Sequence, residues 1–239
     1  MVLGTGHGLI VNSATTLEEL SAYARANDFL IPPAVVAPLA PAQFPVSDAG
    51  TPLLDKPYFV ILGTIEPRKN HWLLLQLWRQ LIMQLGEGAP HLVVIGQRGW
   101  ECENVLAMLE RCETLKGVVI EHQDCTDAEL VFWLRHARAL LFPSFTEGYG
   151  MPLVEALALG VPVIASDLPV FREIAGDVPE YIDPLDGKRW SELIMEYTVA
   201  QSPARLNQRQ RMAGFLAPTW DEHFRRVEEL MERVSRADG

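Results

Sequence analysis

The stretch PSFTEGYGMPLVEALALG, residues 143–160, decides how the rest of this chain folds. Gly148 and Gly150 permit backbone conformations that other residues avoid, and they let a ligand approach the main chain closely. Met151-Pro152 predicts the start of a helix, because proline suits the first helical position. The free N–H groups of the loop and of the helix N-terminus therefore predict a binding site for an anion.

Two carboxylates stand out in this stretch. Glu147 and Glu155 are the only charged side chains between Arg138 and Asp167. A carboxylate buried alone is costly, so each of the two is expected to have a partner. Hydroxyl groups of a ligand are one candidate class of partner, and a cap or an ion pair within the protein is the alternative for Glu155.

Short apolar runs alternate with helical patterns on both sides of this stretch. The predicted strands of the main domain are 58–62, 91–95, 118–121, 139–142, 162–165 and 180–183. Helices are predicted at 70–86, 100–115, 126–138, 151–160, 168–175 and 186–200, with another from Ser202 and a last one at 220–236. Continuous apolar strands are typical of a sheet covered on both faces. The alternation predicts an α/β fold with a parallel sheet of about six strands and helices on both faces.

Parallel sheets of this kind bind ligands beyond the carboxyl ends of their strands. The segments 63–69, 96–99 and 143–150 follow the first, second and fourth of these strands. We therefore predict ligand contacts at Gly63, Thr64, Gly96 and Met151, beside the central loop.

The first of these loops contains Arg68-Lys69, the only adjacent basic pair near a strand end. Arginine matches phosphate oxygens with a bidentate fork, and lysine acts as a point charge. The pair could neutralise a diphosphate and stabilise charge on a leaving group. A solvated surface turn is the alternative.

Two further segments flank the main domain. Residues 1–38 contain a predicted strand at 9–11, a helix at 17–26 with a T-x-x-E capping box at Thr15, and a strand at 32–36. Such a unit is too small to bury its own core. Proline-rich residues 39–57 predict a linker. In the last helix, 220–239, an apolar stripe is expected to pack on the N-terminal unit or to stay partly exposed; it comprises Trp220, Phe224, Val227, Met231 and Val234.

Composition excludes several classes of protein. With a formal charge of −11, the chain is not expected to bind nucleic acid. Its three cysteines have no metal-ligand spacing, and their odd number favours a reducing compartment. No apolar run reaches transmembrane length. The sequence contains no P-loop, no G-x-S-x-G elbow and no dinucleotide fingerprint, and its histidines form no metal-binding pattern.

Four motifs in order resemble one family. EGYGMPLVE has the E-x(7)-E form of the donor-binding signature of retaining glycosyltransferases with two Rossmann-like domains, the GT-B architecture. GTIEPRKNH resembles the phosphate-binding loop of the mannosyltransferase-like branch of group 1, and YIDPLDG also fits. VNSATTLEEL resembles the last strand and helix of the acceptor domain. The resemblance covers nearly the whole chain.

The resemblance implies a role for each matching residue. Arg68 and Lys69 would hold the donor diphosphate, and Glu155 would accept hydrogen bonds from the ribose hydroxyls. Glu147 would accept hydroxyls of the donor sugar and would count with the two cations as catalytic. Gly148, Tyr149 and Gly150 would offer backbone N–H groups to sugar and phosphate. No metal and no cofactor are implied. The loop EHQDC at 121–125 departs from the family pattern, so the choice between GDP- and UDP-sugars stays open.

The resemblance also implies a domain organisation. Residues 1–38 would be a remnant of the acceptor domain, 39–57 the linker, 58–219 the nucleotide-sugar domain and 220–239 a helix crossing back to the acceptor domain. The chain would then be the donor-binding half of a retaining hexosyltransferase, with GDP-mannose as one candidate donor and a saccharide or glycolipid as acceptor, and by itself inactive. The expected location is the cytoplasm, with peripheral association of the full-length protein at the inner membrane face. Alternatives are a non-catalytic nucleotide-sugar-binding module and a nucleotide-sugar epimerase.

Overall fold

The computed structural model describes residues 5–43, 50–51 and 54–237. Residues 1–4 of the expected acceptor remnant, 44–49 and 52–53 of the expected linker, and 238–239 of the final segment lie outside the described residues. The strands are β1 Leu9–Val11, β2 Ala34–Val36, β3 Tyr58–Leu62, β4 His91–Ile95, β5 Val119–His122, β6 Leu140–Phe142, β7 Val163–Ser166 and β8 Glu180–Ile182. The α-helices are α1 Ala14–Ala26, α2 His71–Leu85, α3 Glu103–Arg111, α4 Asp127–His136, α5 Met151–Ala158, α6 Pro169–Ala175, α7 Gly187–Thr198, α8 Pro203–Met212 and α9 Trp220–Ala237.

The main sheet has the strand order β5-β4-β3-β6-β7-β8, and every pairing is parallel. The predicted parallel α/β fold with about six strands is therefore confirmed. The chain starts in the middle of the sheet at β3, builds outward through β4 and β5, and then returns to the other side of β3 at β6. The strand order thus reverses between β3 and β6, and in sheets of this kind the ligand crevice lies at that point, beyond the carboxyl ends of the strands.

The two faces of the sheet carry separate apolar cores. Phe59 and Ile61 of β3 point to the layer of α2, α3 and α7, whereas Tyr58 and Val60 point to the layer of α4, α5 and α6. This alternation follows from the two-residue period of a strand. Because both faces are covered, β3 is apolar at all five positions, as expected of a strand in a parallel sheet.

Two predicted helix starts were wrong. The first helix begins at Ala14 with Ser13 as its N-cap, whose hydroxyl accepts the Thr16 N–H, so the T-x-x-E capping box at Thr15 is not formed. The helix predicted at 100–115 covers only Glu103–Arg111 and is followed by a short 3-10 turn. Its start is delayed because Glu101 has a positive φ of 49°, which interrupts a right-handed helix. The helix predicted from residue 126 starts as expected: Thr126 is its N-cap and forms a capping box with Glu129.

Strands β1 and β2 pair in parallel as a separate two-stranded sheet. The last helix, α9, packs on this small sheet: Arg226 donates to the Val36 carbonyl at 3.1 Å, and His223 lies 3.1 Å from the Ala37 carbonyl. This agrees with the expected contact, but only part of the predicted stripe faces the small sheet. Leu230, outside the stripe, and Val234, within it, both lie against Gly8, whereas Met231 is 62 % exposed.

Within the described part of the chain, none of the helices is long and apolar enough to cross a bilayer.

Candidate functional site

The loops after β3 and β4 touch each other backbone to backbone at the carboxyl edge of the sheet. A Cβ atom at Gly96 would lie only 2.1 Å from the carbonyl oxygen of Gly63, and both glycines have positive φ, 150° and 135°. The Ile65 N–H donates to the Gln97 carbonyl at 2.8 Å. Glycine is therefore required at Gly96 for this close approach, quite apart from any ligand.

Glu147 is the centre of a compact charged cluster in the crevice. Its carboxylate accepts hydrogen bonds from Lys69 Nζ at 2.6 Å and Ser144 Oγ at 2.8 Å, and it forms an ion pair with Arg68 Nη1 at 2.9 Å. The side chains of Lys69 and Glu147 are each 8 % exposed, and Arg68 is 40 % exposed. The structure therefore brings together the three residues predicted to be catalytic. Arg68 is the most exposed of them, and its guanidinium also forms an ion pair with Glu66 at 2.6 Å.

The backbone ties these two loops together as well. The N–H of Phe145 donates to the Arg68 carbonyl at 2.8 Å. Asn70, at the N-cap position of α2, uses its side-chain amide on the Pro143 and Pro184 carbonyls, both at 3.2 Å. The helix predicted from residue 70 thus begins there, with Asn70 at its N-cap position, but the Asn70 side chain does not cap the helix. It joins three loops instead.

The loop from Gly148 to Met151 presents a row of unused donors. Within the described residues, the N–H groups of Gly148, Tyr149, Gly150 and Met151 have no hydrogen-bond acceptor. Gly150 has a φ of 114°, and a Cβ there would lie 2.7 Å from the Phe171 ring. Gly148, in contrast, faces open space. Consecutive free N–H groups beside a helix start form an anion-binding concavity.

The orientation of this loop is set by residues that the sequence analysis missed. The Gly148 carbonyl accepts hydrogen bonds from Ser13 Oγ at 3.0 Å and Thr16 Oγ1 at 2.9 Å, both from the start of α1. A peptide unit is planar and trans, so fixing this carbonyl also fixes the direction of the Tyr149 N–H on the opposite side. No motif connects residues 13–16 with residue 148, and only the tertiary fold could reveal this contact.

A second link holds α1 against the main domain. The carboxylate of Glu173 on α6 accepts hydrogen bonds from the Ala14 N–H at 2.6 Å, the Thr15 N–H at 2.9 Å and Thr15 Oγ1 at 2.8 Å. A carboxylate is favourable at a helix N-terminus, where free N–H groups carry partial positive charge. The contact keeps Ser13 and Thr16 beside the loop.

The segment before residue 44 runs along the same edge. Tyr149, which is 4 % exposed, donates its hydroxyl to the Leu39 carbonyl at 2.8 Å. Burial raises the pKa of Tyr149 to about 12, so the group remains a neutral donor. The Ala42 N–H donates to the carboxylate of Glu155.

Glu155 differs from Glu147 in its electrostatic surroundings. It is half-buried in the second turn of α5, with no cation among its described partners. Burial, and after it the nearby Asp127 carboxylate, raise the pKa of Glu155, while the Ala42 hydrogen bond lowers it. One backbone donor leaves most of the acceptor capacity of a carboxylate unused.

His71, the first residue of α2, is a buried polar group that the sequence analysis did not single out. It is 2 % exposed and surrounded by apolar side chains such as Ile61, Leu92 and Val94. Neither ring nitrogen has a hydrogen-bond partner in the described structure. Burial, and then the Lys69 ammonium, lower the pKa of His71 to about 4.

No group of three or more His, Cys, Asp or Glu side chains among the described residues is arranged to hold a metal ion.

Comparison with known proteins gives relatives in one functional class. O-antigen chain mannosyltransferase B of Escherichia coli is 37 % identical over 129 residues, which are 54 % of this chain and 33 % of that protein. O-antigen chain mannosyltransferase RfbU of Salmonella typhimurium is 30 % identical over 137 residues, 57 % of this chain and 37 % of that protein. This chain thus spans about a third of the length of these relatives.

Solved structures share the fold. The sucrose-phosphate synthase of Thermosynechococcus elongatus superposes with a TM-score of 0.72 at 21 % identity, over 99 % of this chain and 60 % of that one. The family model described as glycosyl transferases group 1 matches residues 47–211. That match includes the Arg68–Lys69 loop and both carboxylates of the E-x(7)-E motif. The chain therefore belongs to the group 1 glycosyl transferases and has the Rossmann-like fold of their GT-B architecture.

Proposed function

We propose that this chain is the donor-binding half of a retaining hexosyltransferase that uses a nucleotide-sugar, with GDP-mannose as the first candidate, and acts on a saccharide or glycolipid. The observation that carries the proposal is the charged cluster of Arg68, Lys69 and Glu147 beside the unpaired N–H groups of Gly148 to Met151. Family membership and the mannosyltransferase relatives support it.

The diphosphate has a suitable place in this arrangement. The free N–H groups and the start of α5 supply partial positive charge. Arg68 adds a guanidinium that is 40 % exposed and that a diphosphate would share with Glu66 and Glu147. The Lys69 ammonium is held in place by its ion pair with Glu147. It therefore contributes a positioned charge that the ligand shares with Glu147. These groups stabilise negative charge that develops on the phosphate as the bond to the sugar breaks.

The ribose has a partner in Glu155. Its carboxylate has one backbone donor and a neighbouring negative charge, so hydroxyl groups of a ligand would supply the missing donors. Hydrogen bonds to a charged group contribute about 1.5–3 kcal/mol each. The Ala42 N–H remains a partner from within the protein, and the ligand shares the carboxylate with it.

Glu147 has a more demanding position. Its oxygens already accept hydrogen bonds from Lys69 and Ser144 and pair with Arg68, so a sugar hydroxyl must join an existing network. We assign to Glu147 both the contact with the donor sugar and the orientation of the two cations. In the proposed reaction the acceptor hydroxyl attacks the anomeric carbon from the face that the diphosphate leaves, and its proton passes to the departing phosphate oxygen. Configuration is thereby retained.

We further propose that residues 1–239 bind the donor without transferring it efficiently. Transfer requires the acceptor to be held within reach of the anomeric carbon, which can lower a barrier by about 7–11 kcal/mol. A facing surface that holds the acceptor and excludes water would come from a further domain, as in enzymes that close around their substrates. Any membrane contact of the whole protein would also be made through that domain.

A ligand comparison tests the ribose contact. Calorimetry would measure GDP, UDP and their 2′,3′-dideoxy forms with the unaltered chain and with Glu155→Ala. The variant should lose at least about tenfold in affinity for the normal nucleotides and little for the dideoxy forms, because the hydroxyl partners are already absent. Glu192→Ala, at an exposed position of α7, is the control. Equal losses for both forms would refute the ribose contact.

The phosphate contact and the transfer step need separate measurements. Arg68→Ala with Lys69→Ala should weaken nucleoside diphosphate binding far more than nucleoside binding, and Arg79→Ala with Lys188→Ala is the charge-matched control. A transfer assay with GDP- and UDP-sugars and lipid-linked or saccharide acceptors tests catalysis by the chain. Efficient transfer would contradict the half-enzyme proposal, and absence of any nucleotide-sugar binding would contradict the donor-site proposal.

A further inference from the structure

A second polar pocket lies at the opposite edge of the main sheet, where β3 and β6 begin. It has a volume of about 230 Å³ and is lined by the 54–58 segment, the end of α4 and Arg205 of α8. Strand β3 has five residues at roughly 3.3 Å each, so about 15 Å of sheet separates this pocket from the donor crevice. The pocket is therefore a separate site.

The charge of this pocket is opposite to that of the whole chain. The chain carries a formal charge of −11, yet Lys56, Arg135, Arg138 and Arg205 line the pocket with one carboxylate, Asp55. A protein with this net charge would be expected to have more acidic than basic side chains in an average surface pocket. The excess of basic side chains in this pocket is therefore unusual.

The guanidinium group of Arg205 in this pocket is repelled by those of Arg138 and Arg209. Arg205 is half-buried, and its Nε donates to the Arg138 carbonyl at 3.0 Å. Burial, followed by Arg138 and Arg209, lowers the pKa of Arg205. Among the described residues, no carboxylate forms an ion pair with Lys56, Arg138 or Arg205. A half-buried charge without a counterion is unfavourable, so an anion bound at this place would be stabilising.

The end of α4 explains only part of this cluster. Cations stabilise the C-terminus of a helix, and Arg135 and His136 occupy the last turn of α4. Arg205 lines the pocket from α8, and Arg209, four residues further on the same helix face, is near enough to lower the pKa of Arg205. Two elements thus direct cations to one point.

We propose that this pocket binds a tetrahedral oxyanion of the phosphate class, held by Arg138 and Arg205 and neutralised further by Lys56 and Arg209. Arginine forks match phosphate oxygens, and a bound dianion would replace the repulsion between the guanidinium groups with attraction. The phosphate group can come from a dissolved phosphorylated compound or from a phospholipid headgroup. The site does not depend on the proposed donor binding.

The test titrates the full chain with inorganic phosphate and follows backbone amide resonances by NMR. The amides of Tyr58, Arg138 and Arg205 should shift with one dissociation constant, independently of those at Gly148. Arg138→Gln with Arg209→Gln should weaken binding at these amides by at least about tenfold, which corresponds to the loss of one charge-assisted contact. This double variant keeps Arg205, whose Nε donates a hydrogen bond to the Arg138 carbonyl.

A control variant distinguishes a general effect of net charge from an effect of the pocket residues. Arg79→Gln with Lys188→Gln removes two charges from exposed positions elsewhere and should leave the titration unchanged. Circular dichroism would establish that each variant is folded. Equal affinity of the pocket variant and the unaltered chain would overturn the proposal, as would the absence of phosphate-dependent shifts at the pocket amides.

Vesicle sedimentation identifies the source of the phosphate group. Sedimentation with phosphatidylcholine vesicles containing phosphatidic acid, but not with pure phosphatidylcholine, and its loss in the pocket variant would identify a lipid headgroup. A phosphate titration at the pocket without sedimentation would identify a dissolved phosphorylated compound. Sedimentation that the pocket variant retains would contradict the lipid source.

Discussion

The buried imidazole of His71 makes the stability of this protein depend on pH. Its pKa of about 4 in the folded chain compares with 6.5 for an unperturbed histidine. Between these values the unfolded chain binds a proton that the folded chain does not. The free energy of unfolding must therefore rise with pH across this window and level off above it.

The size of the effect follows from the two pKa values. One unit of pKa corresponds to about 1.4 kcal/mol, so the full penalty below pH 4 is about 3 kcal/mol. Between pH 7.5 and pH 5 the histidine should cost about 2 kcal/mol. Carboxylates of the chain also titrate toward acidic pH, so the measurement must isolate the contribution of His71.

His71→Leu isolates it, because leucine is similar in size and suits the apolar surroundings. Urea unfolding at pH 5.0, 6.0 and 7.5 would measure the free energy of unfolding of both proteins. When the pH falls from 7.5 to 5.0, the free energy of unfolding of the variant should decrease by about 2 kcal/mol less than that of the unaltered chain. It should also be more stable at pH 7.5, since two unpaired ring nitrogens are removed from the core. His7→Gln, at an exposed position, is the control. Identical pH slopes for His71→Leu and the unaltered chain would refute the reasoning.

Two further predictions concern the loops of the site. Gly96→Ala should cost at least about 2 kcal/mol of stability in thermal or urea unfolding, because its Cβ would lie 2.1 Å from a carbonyl oxygen of the facing loop. Gly88→Ala, with no atom nearer than 4.0 Å, should change stability little, and similar values for the two would show that the loops can separate. Thr16→Val removes one of two hydroxyls that hold the Gly148 carbonyl, so nucleotide-sugar affinity should fall about fivefold, as for a hydrogen bond worth about 1 kcal/mol. An unchanged calorimetric affinity would mean that Ser13 alone orients the loop.

Much of the fold could be predicted from local pattern. Strand β3 is apolar throughout because both faces of the sheet are covered, and this property is visible in the sequence as a run of five apolar residues. The helix starts were less accurate at Thr15 and Trp100. Near Thr15 several hydroxyl side chains can serve as the cap, and contacts with other parts of the chain decide among them. After Trp100 the positive φ of Glu101 delays the helix.

The last helix shows the same limit. Its apolar stripe is visible in the sequence, but neighbouring positions on a helix differ by 100° and several combinations fit a four–three spacing. The sequence favoured Met231, whereas the small sheet buries Leu230. The face that packs depends on the partner surface, which a single sequence does not describe.

The residue types of the candidate site follow from the sequence itself, since Arg68, Lys69, Glu147 and the glycines stand at the ends of predicted strands. Their pairings required the tertiary structure. Glu147 takes up both cations, whereas Glu155 has only a backbone donor and a neighbouring carboxylate. The hydrogen bonds from Ser13 and Thr16 to the Gly148 carbonyl join residues more than 130 positions apart in the sequence. The periodicity of helices and strands is set by residues that are close in sequence, so a local sequence pattern can predict it. Ion pairs and distant hydrogen bonds depend on which surfaces the packed core brings within about 3 Å of each other, and that is a property of the whole fold.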